Sequence, residues 1–277
     1  MQSVSVTRMD WGIRNRLAKI IREDGKCVML AVDHGYFLGP TDRLENPKKV
    51  ISPLLAFTDS LMLTRGILRT SVPFNTTVPI VLRVSGATSI LGEDLSKETI
   101  TTSIEECIKL NATCLAISIF VGSKYEHQTL RNLSKLVDEG EKFGIPILAV
   151  TAVGKEMTRD SRYLALACRI AAELGAHLVK TYYCDDFMKV VEGCPVPVII
   201  AGGKKIPEYE ALQLTHNAIS DGASGVDMGR NIWQSDYPVQ MLQAVRSIVH
   251  NAYNADDAFS KFISRKVENA KIKLENN

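Results

Sequence analysis

The chain has 277 residues, 45% of them apolar, which suits one large domain with a substantial core. Its net charge is +2 with the signs interspersed and no basic tract, which argues against a nucleic-acid partner. The longest apolar runs are strand-sized, far short of the ~20 residues of a membrane span, and the first residues lack the apolar core of a secretory leader, so a soluble cytoplasmic protein with no membrane partner is expected.

Residues 10–23, DWGIRNRLAKIIRE, read as a helix with Asp10 as its N-cap and apolar positions at 11, 13, 17, 20 and 21. Eight short apolar runs follow, at 27–32, 60–63, 78–84, 113–120, 145–150, 177–181, 196–201 and 225–228. Several sit in a recurring unit in which a helix ends in Gly or Asn, then Ala, then the run. The unit appears in KLNATCLAISI (109–119), ELGAHLVKTYY (173–183) and SDGASGVDMGR (220–230), and more loosely in KFGIPILAVTA (142–152). Gly or Asn just past a helix suits a left-handed C-cap, and a short continuous apolar run suits a parallel strand buried on both faces.

The gaps between runs hold helices. Residues 99–110 carry Ile100, Ile104 and Ile108, and residues 160–173 carry Tyr163, Leu164, Cys168, Ile170 and Ala171. Strand and helix alternating eight times predicts an α/β fold, a (β/α)8 TIM barrel. The rival, an open doubly wound sheet, usually shows a Gly-rich turn after its first strand, where this chain reads VDHGYFLGP. One barrel domain is expected over 1–277, with an N-terminal helical extension over 1–24 and a C-terminal helix over 255–277. That last helix carries Phe259, Phe262, Ile263, Val267, Ala270 and Leu274, a stripe that packs on its own barrel or on another subunit.

Catalytic groups of a (β/α)8 barrel sit at the C-terminal ends of the strands. The sixth run, HLVKTYY (177–183), puts Lys180 there. Side chains alternate along a strand, so if Leu178 fills the barrel, Lys180 points into its mouth. Burial, and a cation such as Lys155 or Arg230 nearby, would favour the neutral amine that attacks a carbonyl. The alternatives are a lysine reaching solvent or one paired with Asp33. Asp33 and His34 end the first strand as acid/base or hydroxyl-binding candidates; equally, Asp33 can accept loop amides and His34 can be a satisfied interior histidine. The seventh and eighth strands run into Gly202–Gly203 and Gly229–Arg230, where backbone N–H groups and a guanidinium can hold a phosphate. The six cysteines show neither CxxC nor zinc spacing, so no metal is expected.

In MLAVDHGYFLGP (29–40), TRGILR (64–69), GSKYEHQ (122–128), AVTAVGKEM (149–157), AAELGAHLVKTYY (171–183), GCPVPVIIAGGKK (193–205) and GASGVDMGRNIWQSDYPV (222–239), the chain resembles the archaeal-type class I fructose-bisphosphate aldolases and their relatives, Schiff-base (β/α)8 enzymes. The resemblance runs from Asp10 almost to the end. It implies that Lys180 forms the Schiff base and that the loops at Gly202–Gly203 and Gly229–Arg230 bind the substrate phosphate. It further implies a cytoplasmic homo-oligomer of ten subunits, with no bound cofactor and no metal.

The aldolases of this family carry an acid/base tyrosine after the fifth strand, whereas this chain reads Thr151-Ala152-Val153-Gly154. That departure points to the family's thiolase branch, in which coenzyme A is the co-substrate and takes an acetyl group from a phosphorylated diketone. The alternatives are an aldolase of fructose bisphosphate or a related sugar phosphate, and a binding protein without chemistry. Lys124, Lys155, Lys204 and Lys205 are candidates for holding the coenzyme A phosphates, and Cys184 is a weaker candidate nucleophile.

Overall fold

A computed structural model describes residues 10–152 and 158–275, with side chains as far as 266. The eight apolar runs become eight strands whose ends differ from the expected ones by at most two residues. They are β1 (Cys27–Ala31), β2 (Ser60–Thr64), β3 (Ile80–Arg83), β4 (Cys114–Ile119), β5 (Ile147–Thr151), β6 (Leu178–Tyr182), β7 (Val198–Ala201) and β8 (Gly225–Met228). Each pairs in parallel with the next, and β8 pairs with β1 to close the barrel, with Cys27 opposite Gly225. The fold is a TIM barrel; closure excludes the open sheet.

The left-handed ends expected of the recurring unit are present: φ is positive at Asn111, Gly144, Gly175 and Gly222. One expected helix is shorter. Thr99–Ile100 pairs antiparallel with Ser85–Gly86, and the helix Ile104–Lys109 starts only after Ser103, whose side chain accepts from Glu106 N. The antiparallel pair takes up Thr99 and Ile100, and the helix begins at the Ser103 cap.

Strand parity sorts the side chains. One parity faces the surrounding helices, as with Leu30, Leu63, Leu82 and Val179. The other fills the barrel with Met29, Met62, Val81, Leu148, Leu178 and Ile199. These are packed layers without a pore; truncating such a residue to Ala typically costs about 2–5 kcal/mol. The helix Trp11–Ile20 closes the N-terminal end of the barrel, because Ile20 is fully buried against this interior cluster. Asp10 caps that helix as expected, accepting from Gly12 N. At the other terminus, the helix Ala255–Glu275 turns Ala255, Ala258 and Phe262 inward against its own barrel. Phe259 and Phe262 stack there, and Phe259 meets Tyr209 edge-on. Val267, Ala270 and Leu274 lie beyond the described side chains.

Candidate active site

Above the apolar layers the interior turns polar. β6 presents Lys180 inward, two residues beyond Leu178, and the lysine is 8% exposed. Its Nζ lies 2.7 Å from Asp227 Oδ2 and 3.7 Å from Met62 Sδ. Met62, Lys180 and Asp227 come from β2, β6 and β8, alternate strands that share one level of a barrel interior. The Asp227 side chain is fully buried, and Lys180 is its charged contact. Burial pushes the Asp227 carboxyl above its usual range, against the pull of Lys180. The charged neighbour of the lysine is therefore an acid; Lys155, expected near it, lies outside the described residues, as do Val153 and Gly154.

A second polar group stands beside this pair. Arg83, on β3, donates from Nε to Asp33 Oδ2 at 3.0 Å and from Nη1 to Ser118 Oγ at 2.5 Å, and its guanidinium sits 4.7 Å from the centre of the Tyr36 ring. Asp33 thus pairs with Arg83, not with Lys180. Burial raises the Asp33 carboxyl, but Arg83, His34 and Lys180 outweigh it, and the group stays below its ordinary range. Arg83 is held above its ordinary value despite burial, through Tyr36, Asp33 and Glu98. Glu98 ties the network together by accepting from Tyr36 Oη and from Ser85 Oγ, each at 2.6 Å.

His34 Nδ1 is buried without a hydrogen bond, 3.6 Å from Asp33 Oδ1. Burial, helped by Lys180, Arg230 and Arg83, brings its pKa down to about 4, so the imidazole is neutral near pH 7. Trp233 meets it edge-on, while the Trp233 indole N–H donates to Ala31 O.

The glycine loops converge on the same place. Gly203 has φ +71°, open to Gly at no steric cost. A Cβ at Gly229 would lie 2.6 Å from Ala31 O and 2.8 Å from His34 Cε1, so the close approach of β8 to the first strand requires glycine. Asn231, fully buried, locks the two loops: it donates to Gly202 O at 2.6 Å and accepts from Ile206 N at 2.9 Å. Arg230 Nε is buried with no partner among the described residues. An unsatisfied guanidinium N–H beside two glycine turns is what an oxyanion would complete.

Asp33, His34, Lys180, Gly202, Gly203, Gly229 and Arg230 line one cavity of about 220 Å³ at the C-terminal mouth of the barrel. Arg83, Asp227, Tyr36 and Tyr182 line it too, and the sequence reading did not single them out. No phenol follows β5 at Thr151 or Ala152, but Tyr36 and Tyr182 bring two from other strand ends. Cys184 is absent from the cavity wall; it is buried, and its thiol is pushed up to about 11 by burial, so it does not suit a thiolate nucleophile. Of the candidate phosphate-holding lysines, Lys205 is engaged with Glu208 at 3.1 Å, and Lys124 lies 5.6 Å from the Tyr125 ring. No group of His, Cys, Asp and Glu suited to a metal ion occurs among the described residues.

A family model of DeoC/LacD family aldolases matches residues 27–235. The chain belongs to that family. It is 54% identical over 260 residues to the 3-hydroxy-5-phosphonooxypentane-2,4-dione thiolase of Escherichia coli (strain K12), covering 93% of this chain and 89% of that one. The thiolase of the same name from Photorhabdus laumondii is 53% identical over the same length and shares. Among solved structures, an archaeal fructose-1,6-bisphosphate aldolase with its catalytic Lys covalently bound to the carbinolamine intermediate of the substrate superposes with a TM-score of 0.78 at 27% identity. That match covers 86% of this chain and 99% of the aldolase. Across the described residues no helix is long and apolar enough to cross a membrane.

Proposed function

We propose that the chain cleaves a phosphorylated diketone through a Schiff base on Lys180 and passes the released acetyl group to coenzyme A, giving acetyl-CoA and dihydroxyacetone phosphate. The relatives' name supplies the substrate, 3-hydroxy-5-phosphonooxypentane-2,4-dione, a phosphorylated product of autoinducer-2 breakdown. The observation that carries the reading is a buried lysine, in contact with a carboxyl of raised proton affinity, in the cavity where Arg230 leaves an N–H unsatisfied.

The chemistry follows from those contacts. An ammonium must lose its proton before it can attack a carbonyl, and Asp227, 2.7 Å away, is the acceptor. The neutral amine adds to C4, the ketone beside the phosphorylated carbon. Asp227 returns the proton to the departing hydroxyl, and water leaves the iminium behind. The coenzyme A thiol then attacks C2, and the C2–C3 bond breaks. Its electron pair enters the C3–C4 bond as an enamine, with the iminium as the sink. The proton lost by the thiol ends on C3, and Asp227, beside the imine, is placed to carry it. Hydrolysis then frees dihydroxyacetone phosphate and Lys180.

Asp33, held ionised by Arg83, is the acceptor for the substrate hydroxyl and not a proton shuttle. Neutral His34 packs beneath it. Arg230, with the turns at Gly202–Gly203 and Gly229, binds the phosphate. The same reading takes the enzyme as a cytoplasmic oligomer of ten subunits that needs no metal or bound cofactor.

The second reading is an aldolase of fructose bisphosphate, favoured by the Tyr36 and Tyr182 phenols at the cavity. One experiment separates them: acetyl-CoA formation from the dione, run beside fructose-bisphosphate cleavage. Acetyl-CoA from the dione alone supports the thiolase; efficient sugar cleavage with no acetyl-CoA replaces it with the aldolase.

A further inference from the structure

We infer that Arg83 is a catalytic residue of the acetyl-transfer step, binding the oxyanion that forms at C2 when the thiol attacks. The inference rests on the acetyl-transfer reading above. Attack at C2 forms a carbon–sulfur bond and moves the C2=O π pair onto oxygen. Collapse reforms that carbonyl, breaks C2–C3 and sends the bonding pair into the enamine, neutralising the iminium; the proton shed by the thiol goes to C3. Between attack and collapse a full negative charge sits on the C2 oxygen. A buried site must supply a fixed donor for it.

The barrel's geometry selects the donor. The cavity-lining cations among the described residues are Arg83, Lys180 and Arg230. Lys180 is consumed as the imine at C4, and Arg230 belongs to the phosphate end, at the exits of β7 and β8. In a ring of eight strands, β3 lies diametrically across from β7. A substrate with its phosphate at β7–β8 and C4 on Lys180 extends its acetyl end toward the far wall. That wall carries Arg83, 7% exposed.

The guanidinium is also pre-set in orientation. Nε is fixed by Asp33 at 3.0 Å, and Nη1 by Ser118 at 2.5 Å and by Ser85 at 3.4 Å. The Tyr36 ring backs its face at 4.7 Å. Among the described residues no hydrogen-bond partner occupies Nη2, so that edge has donors to give. In an aldol cleavage the oxyanion is the substrate's own deprotonated hydroxyl, whereas thiol attack creates one on a carbonyl oxygen.

The test uses Arg83→Lys, which keeps the charge and loses the planar fork. Two quantities are measured on the full-length enzyme. One is the fraction of Lys180 trapped by borohydride with the dione and no coenzyme A; the other is the rate of acetyl-CoA formation. Trapping should be little changed while acetyl transfer falls by about 10²–10³-fold, the usual loss for one oxyanion donor. A fall in transfer that merely tracks a fall in trapping would overturn the inference, since it would show that Arg83 only holds the site together. Should the lysine variant not fold, Asp33→Asn is compared with Asp33→Asn/Arg83→Gln, which removes both buried charges. The transfer-to-trapping ratio must drop in the double variant, and an equal ratio in the two overturns the inference. Failure of the unmodified enzyme to trap at Lys180 at all would instead strike the Schiff-base reading.

Discussion

Lys180 and Asp227 stand on strands separated by β7, yet Lys180 Nζ lies 2.7 Å from Asp227 Oδ2 inside the barrel. The pair answers how a lysine can be buried in an apolar strand: a carboxyl buried more deeply still faces it at ion-pair distance. It also makes the lysine's removal costly.

Lys180→Ala should abolish turnover and lower stability. The substitution leaves the Asp227 side chain fully buried without its partner, and breaking a buried pair on one side costs about 3–5 kcal/mol. Lys180→Met/Asp227→Val removes both charges and should regain most of that loss while remaining inactive. Urea denaturation of the two variants against the parent measures this; equal stability of Lys180→Ala and parent would contradict it.

Asp227→Asn keeps the shape and removes the proton carrier. The expected fall in kcat is about 10²–10⁴-fold, with substrate KM much less affected. The rate of borohydride trapping should fall along with turnover, because imine formation needs the same acceptor. Unimpaired trapping would assign Asp227 to later steps only.

Arg230→Ala should act on affinity for the phosphorylated substrate. A charged hydrogen bond is worth about 1.5–3 kcal/mol, which corresponds to a rise in KM of roughly ten- to a hundred-fold. Steady-state kinetics measures it, and an unchanged KM would put the phosphate elsewhere.

A separate prediction concerns the opposite end of the barrel. His250 Nε2 lies 2.7 Å from Asp59 Oδ2 and its Nδ1 2.7 Å from Asp24 Oδ2, while Arg22 and Arg246 pair with Asp59 Oδ1. The hydrogen bond to Asp59 raises the His250 pKa above its ordinary value, against burial and Arg246. A folded pKa above the unfolded one means that the contribution is complete below about pH 6.5 and is lost as pH rises through the folded value. His250→Gln should therefore lower the melting temperature most in mildly acidic buffer, with the gap to the parent closing as pH rises. A gap that widens with pH would reverse the assignment.

The barrel and Lys180 were legible in the sequence because both are pattern features. Eight buried strands leave eight apolar runs, and a lysine inside one of them breaks the pattern. Asp227 and Arg83 were less legible for a physical reason. Each lies within a strand, in GVDM and IVLR, whereas attention to strand ends favours residues just past them. The parity that turned Leu178 and Lys180 inward applies equally to Val81 and Arg83, and to Gly225 and Asp227; a charge at an inward parity was the available signal. The partner of Asp33 was not available in the same way, because strand order in a closed barrel does not say which of several facing charges pair. Neither was the start of the helix at Ile104, decided by pairing of Thr99–Ile100 with a two-residue strand.

The account stands or falls on where the substrate becomes covalent. The measurement is borohydride reduction of the enzyme with the phosphorylated dione, followed by peptide mapping by mass spectrometry, with acetyl-CoA assayed in a parallel sample containing coenzyme A. The account predicts a single adduct on Lys180 and acetyl-CoA formed in the parallel sample. An adduct on another lysine, or acetyl-CoA produced with Lys180 unmodified, would contradict it.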